Sequence, residues 1–386
     1  MALVQFLFVT TWTIYVIFLP KLFESVGLPV SYVLWFLILD QLVFMAMDVY
    51  TGVAADHAQR TLGRVGPMIA SWTLISCIAF MLLPHASLFG GAAPAALLAL
   101  TVIWTATSSA LRAPPWVLLG KYAAKPALPR MNTLMLIGLA TGGALSPYLG
   151  IVLKNVDPRL PFALSSLTLL AATAGIVYVE RMMQRRPAPA SAPETPRVLG
   201  SGHWGYMLGI LLLAAGFQVH FSLNSAAQFL KFAKPADLEW LMPLFWVGFG
   251  VAMMPGSALA KRYGALPLMA VSALLGAAGA YAAANAGSLD MLMAAQLIAG
   301  CAWGNMLMAA FCSAADLGRS GREGLALGMM FAMLALAAVS RIGAMIAGIN
   351  KHPDYATVLT MLPAALWLAG GAVIGLLALR MRNAAT

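Results

Sequence analysis

Charge is what this chain has least of. Only 9% of its 386 residues are Asp, Glu, Lys or Arg, where a soluble domain carries about a quarter. With 61% hydrophobic residues beside that figure, a water-soluble fold has too little polar surface to cover itself, and the soluble classes drop out. Cysteine is scarce as well. Cys77, Cys301 and Cys312 lie in or at the edge of apolar segments without metal-like spacing, so they read as small packing residues rather than a disulfide framework. Histidines 57, 85, 203, 220 and 352 are scattered along the chain. No catalytic constellation, metal site or cofactor is expected from them. The pairs Gly142-Gly143 and Gly370-Gly371 fall inside apolar runs and point to close helix packing, not phosphate binding. No basic segment precedes the first apolar run, so residues 2–22 read as a membrane span and not as a removed signal.

What is present in abundance is length of apolar run. A bilayer-crossing helix needs about 20 largely apolar residues. On that measure the sequence predicts twelve spans, near 2–22, 30–54, 67–84, 93–119, 131–153, 161–180, 204–230, 238–259, 266–284, 291–315, 325–349 and 356–379. The connections are short except for residues 181–203, which are rich in Pro, Ala and Ser and basic at their start. That composition predicts an extended linker between a six-helix half over 1–180 and another over 204–386. The net charge of +10 suggests nucleic acid only in a soluble protein. Here fifteen of the 23 basic residues fall in loops on one side and six on the other, with Arg112 and Arg341 inside spans. Basic loops stay in the cytoplasm, which predicts an inner-membrane protein with both termini cytoplasmic and no nucleic-acid partner.

The stretch Met47–Pro67, MDVYTGVAADHAQRTLGRVGP, joins the second span to the third and carries the most specific pattern in the chain. Asp48, Gly52, Asp56, Gly63, Arg64 and Pro67 follow the order D-x3-G-x3-D-x6-G-R-x2-P. Glycine lets helices approach, and Asp56 is able to face the positive N-terminal end of a neighbouring helix. Gly52, Asp56, Arg60, Gly63 and Arg64 are therefore candidates for a cytoplasmic gate. A worn copy, GSALAKRYG over Gly256–Gly264, lies between spans eight and nine with Ala260 in the aspartate position. Two six-span halves with a repeated loop match the parallel-repeat plan of major facilitator transporters. The expected fold is an all-α membrane protein of twelve transmembrane helices in two six-helix halves.

The motif residues also resemble a particular family, the glycoside–pentoside–hexuronide:cation symporters of the melibiose permease group. The lead-in Val26-Gly27-Leu28, the segment Arg112-Ala-Pro-Pro-Trp116, the loop Ala315-Asp316…Gly321-Arg322-Glu323-Gly324 and Arg341-Ile-Gly343 are similar to that family's motifs. The resemblance implies symport of a small polar solute, sugar-like or anionic, by alternating access. Arginine stands at 112 where the family often has aspartate, and the first span has no carboxylate from Gln5 to Tyr15. A guanidinium there repels a cation held by Asp48, so the expected coupling ion is the proton and not sodium.

Four charges at membrane depth mark the candidate cavity. By helix rise, Asp48 and Arg112 both lie roughly 10 Å from the cytoplasmic side, and Asp40 and Arg341 roughly 22–24 Å. Charges at such depth need a partner or water, and matched depths predict the pairs Asp48–Arg112 and Asp40–Arg341. In span seven His220, Asn224 and Gln228 recur every fourth residue and share one face, which reads as a substrate-facing cavity wall, with interhelical hydrogen bonding as the alternative. Trp12, Tyr15, Trp303 and Asn305 are possible contacts for a sugar-like ring. The reading is a monomeric proton-coupled symporter of a small molecule, with a proton-coupled exporter of drugs or metabolites on the same fold as the alternative.

Overall fold

The computed structural model describes residues 1–123, 125–184, 201–318 and 321–383. Most of the expected 181–203 linker, with Arg185, Arg186 and Arg197, lies outside the described residues, as does Arg319. The described chain is helical and has no strand. Eleven helical stretches are long and apolar enough to cross a bilayer. One of them, Gly66–Tyr122, is 57 residues long and folds back at Leu83–Ala92 around Gly90, which has a φ of +57°. It therefore makes two passes, and among the described residues the passes number twelve.

These helices are α1 (Ala2–Ser25), α2 (Val33–Leu62), α3 (Gly66–Leu82), α4 (Ala93–Ser108 and Ala113–Tyr122), α5 (Leu128–Val152) and α6 (Arg159–Gln184). The second six are α7 (Ser201–Phe217, continuing through Gln218–Ser225 to Phe229), α8 (Pro243–Tyr263), α9 (Ala265–Ala284), α10 (Leu289–Leu317), α11 (Glu323–Ile346) and α12 (Ala356–Asn383). The predicted spans correspond to them one for one. The main correction is α2, which runs on to Leu62 instead of ending near residue 54. Most of the stretch expected as a polar loop is thus helix, and only Gly63–Val65 connect α2 to α3. Gly63 ends the helix in the left-handed region at φ +63°, where an L side chain is strained.

Two irregularities place functional side chains. Pro114 and Pro115 lack the N–H that an uninterrupted α4 needs, and their rings clash with the preceding turn. The helix breaks there, and Arg112 takes a non-helical φ of −97° and ψ of −88° at the junction. In α7, residues Gln218–Ser225 widen into π-helical turns, and the Ser225 hydroxyl bridges back to the His220 carbonyl at 2.9 Å. Such bulges inside a helix often mark functional positions.

Helices α1–α6 meet α7–α12 mainly through α2 on α11 and α5 on α8. Glycine makes the first contact close. A Cβ on Gly52 would overlap the Gly324 carbonyl, and one on Gly328 would overlap the Asp48 carbonyl. Backbone lies against backbone there, as at small-residue crossings in membranes. Nearby, Trp116 stacks on Phe311 with centroids 3.7 Å apart at 11°, and Asn132 donates to the Cys312 sulfur at 3.2 Å. All of these lie toward the end of the bundle that carries Asp56, Arg60 and Arg322, the basic end.

Candidate functional site

Asp40, Phe44, Asp48, Gly52, Asp56 and Arg60 recur every fourth residue along α2 and so form one slowly winding face. The candidate site is what that face meets. At its basic end Asp56 is buried and accepts the Gly324 N–H at 2.7 Å on Oδ1 and the Leu325 N–H at 3.0 Å on Oδ2. These donors belong to the first turn of α11, so a carboxylate caps a helix from the other set of six. Arg60 donates to the Gly321 carbonyl at 3.1 Å beside it. The Gly63 carbonyl accepts from Lys121 Nζ and, at 3.3 Å, from Gln184 Nε2, which anchors the end of α2. Arg64, expected in the same cluster, is exposed and has no hydrogen bond or ion pair among the described residues.

One turn or two deeper, Asp48 meets Arg112, as their depths predict. Asp48 is fully buried, and its Oδ2 lies 3.1 Å from Arg112 Nε. The contact is coulombic more than directional, because neither Asp48 oxygen nor Arg112 Nε has an aligned hydrogen-bond partner. The guanidinium is also held between two rings, 4.6 Å from the Phe44 centroid and 4.9 Å from that of Phe331. Phe44 is on α2 and Phe331 on α11, so the cation–π sandwich spans the same crossing that Asp56 caps. Neither phenylalanine was expected as a site residue. Phe44 is legible only as the position midway between Asp40 and Asp48.

The second expected pair does not form. Asp40 is buried, with Oδ2 accepting from the Tyr15 hydroxyl at 2.9 Å and Oδ1 from the Thr105 hydroxyl at 2.9 Å. Arg341 instead lies half-buried on α11, with Nη1 3.5 Å from the Met345 sulfur and no partner at Nε. Equal depth was right for neither radial position, since two helices at one depth can face different neighbours. Tyr15 thus serves as a hydrogen-bond donor to Asp40, and Trp12 stacks on Trp104 with centroids 5.8 Å apart. Trp12 and Tyr15 join Phe44 and Trp104 in one aromatic cluster, which links Asp40 to the Asp48–Arg112 pair.

The α7 stripe makes hydrogen bonds between helices, the alternative to the expected cavity wall. His220 Nε2 and the Ser225 hydroxyl both meet Gln296 Oε1 on α10, at 3.0 and 3.1 Å. Gln296 Nε2 donates to Gln228 Oε1 at 3.2 Å, and Asn224 donates to the Leu359 carbonyl on α12 at 2.8 Å. Gln296, the hub of this network, was missed because it stands alone in an apolar run. Trp303 stacks on Phe217 at 4.7 Å and 5°. Asn305 packs against Gly256 on α8, with its Oδ1 lacking a hydrogen-bond partner.

No protein-family model matches the chain, and no curated protein matches it. By shape it is similar to the crystal structure of a bacterial homologue of the iron transporter ferroportin in the outward-facing state, with a TM-score of 0.75, 14% identity and 98% of each chain covered. It is similar also to FucP, described as a major facilitator superfamily transporter, in the outward conformation (TM-score 0.69, 13% identity, 97% of each chain). The human organic anion transporter MFSD10 follows at a TM-score of 0.68, with 14% identity and 97% of each chain covered.

Proposed function

We propose, from the major facilitator fold as premise, that this protein is a secondary active transporter that moves a small polar solute by alternating access. It resides in a cell's inner membrane with its basic end in the cytoplasm. The observation that carries the reading is the Asp56 cap on α11. A carboxylate from one set of six helices that closes the helix end of the other forms a latch, and opening this end requires that latch to break. Two of the structures that share the fold are described as outward-facing, the state in which the latched end is closed. The helices on either side of residues 181–203 would rock about the α2–α11 and α5–α8 contacts, with the Asp48–Arg112 pair and its two rings at the pivot.

The coupling ion in this reading is the proton. FucP carries the description of a fucose:proton symporter, and the residues here favour the same ion. Arg112 stands 3.1 Å from Asp48 and leaves no room in charge for sodium there. Asp40 is a buried carboxylate held by two neutral hydroxyl donors, a setting in which a proton can be taken up and released without breaking an ion pair. Asp40 is therefore the first candidate carrier. The solute is sugar-like or anionic, in line with the likeness of the α2 motif to the melibiose permease group.

Proteoliposomes loaded with a pH-sensitive dye test the reading. A panel of hexoses, pentoses and small organic acids is added outside, at equal pH on both sides. Solute-dependent acidification of the lumen, abolished by a protonophore, is the expected result. Uptake driven by an imposed sodium gradient at constant pH, and indifferent to the protonophore, would overturn proton coupling.

A further inference from the structure

The third and ninth helices start differently, although they occupy corresponding places in the two sets of six. In the first set, the Val65 and Gly66 N–H groups at the start of α3 donate to Glu180 Oε1 and Oε2 at 2.9 and 2.8 Å. Glu180 comes from the last turns of α6, which packs along α3, and its side chain is buried. The helix end gathers unpaired donors and partial positive charge, and the carboxylate satisfies both.

In the second set α9 starts at Ala265, with Pro267 in its first turn where α3 has Pro67. Helix α12 packs along α9 as α6 packs along α3. Yet the last turns of α12 read Leu377-Ala-Leu-Arg-Met-Arg382 and bring no carboxylate. Among the described residues no side chain accepts from the Ala265 or Leu266 N–H. In the corresponding place is a cavity of about 270 Å³, lined by Ala265, Leu266, Ser313, Ala378 and Arg382, with Asp316 also on its wall. Ser313 on α10 borders this cavity, is 3% exposed, and its hydroxyl is buried without a hydrogen-bond partner. A buried hydroxyl without a partner is uncommon and points to a group that completes it. Asp316 already has an interaction of its own.

We propose that this cavity is a binding site for a phosphate-type oxyanion at the basic end of the bundle. The free donors of α9, the Ser313 hydroxyl and the Arg382 guanidinium hold it as Val65 and Gly66 hold Glu180. One set of helices carries its anion covalently and the other takes it from outside. The oxyanion comes either from the aqueous phase as free phosphate or from the adjoining leaflet as a lipid headgroup. The site is independent of the transport reading, since it asks nothing of the cavity or the coupling ion.

The test is thermal unfolding of the full purified chain in dodecylmaltoside, with inorganic phosphate or with added dioleoylphosphatidylglycerol. Chloride at equal ionic strength and dioleoylglycerol are the respective controls. The expected rise in midpoint is roughly 2–4 °C for one such contact. A rise with phosphate identifies the free ion as sufficient, and a rise with the phospholipid alone identifies a headgroup. Ser313→Ala and Arg382→Ala lose the rise, whereas Arg130→Ala, an exposed basic residue at the same end, keeps it. Ala378→Glu places a carboxylate where α6 has its own, so it raises the midpoint without any anion and removes the response. Should Ala378→Glu fail to fold, the two alanine variants decide. No rise with either probe, or a rise that survives both Ser313→Ala and Arg382→Ala, overturns the proposal.

Discussion

Replacing Asp56 by asparagine removes one charge and keeps the side chain's shape. In the native protein the carboxylate accepts two N–H groups from the first turn of α11, at 2.7 and 3.0 Å. Hydrogen bonds to a charged group contribute about 1.5–3 kcal/mol, against roughly 0.5–1.5 kcal/mol for neutral ones. Interaction of a partly buried charge with a helix end adds up to about 2 kcal/mol. An asparagine keeps one neutral acceptor and turns its NH2 toward a donor. The latch then loses about 2 kcal/mol, which shifts the balance between closed and open basic end by about 30-fold. A native thiol reports the shift. Cys312 is 5% exposed and touches Asn132 across the interface at 3.2 Å, so it becomes reachable only when that end parts. In a Cys77→Ser, Cys301→Ser background, a water-soluble maleimide should label Cys312 of Asp56→Asn about 30-fold faster than the parent, up to the limit set by full opening. A folded Asp56→Asn variant that labels at the parental rate would refute the latch.

Other outcomes follow from neighbouring contacts. Arg112→Ala strands the buried Asp48 carboxylate and should lose about 3–5 kcal/mol of stability, while Arg112→Ala with Asp48→Asn should recover much of it in detergent unfolding. Gly328→Leu drives a side chain into the Asp48 carbonyl, so Cys312 labelling should be fast even with Asp56 intact. Asp40→Asn should leave the fold and solute counterflow in place but abolish solute-driven acidification in the dye-loaded proteoliposomes.

The twelve passes were legible because bilayer spans need long apolar runs, and nothing else in the chain competes with that signal. Asp56 was legible for a different reason, since its spacing from Gly52 already points it at the N-terminal end of a neighbouring helix. The Asp48–Arg112 contact was found from depth, a single coordinate. The same coordinate misassigned Asp40, because Tyr15 and Thr105 lie at its side and depth carries no information on direction around a helix axis. Stripe periodicity placed His220, Asn224 and Gln228 together but could not choose between a cavity and a neighbouring helix. That choice rests on Gln296, a lone polar residue without pattern. Phe44, Phe331 and Glu180 escaped for the same reason: their roles arise from partners more than a hundred residues away, save for Phe44, whose ring gains its role only when Arg112 turns toward it at the break in α4.

The central claim is that the two ends of the bundle open in alternation. Spin labels at Thr61→Cys and Arg262→Cys report the basic end, and labels at Ser31→Cys and Asp354→Cys report the other; all four positions are exposed. Double electron–electron resonance distances for both pairs, with Asp56 intact and in Asp56→Asn, measure the coupling directly. The account predicts that Asp56→Asn lengthens the Thr61–Arg262 distance and shortens the Ser31–Asp354 distance in the same population. Distances that stay fixed at both ends, or that lengthen together, would contradict it.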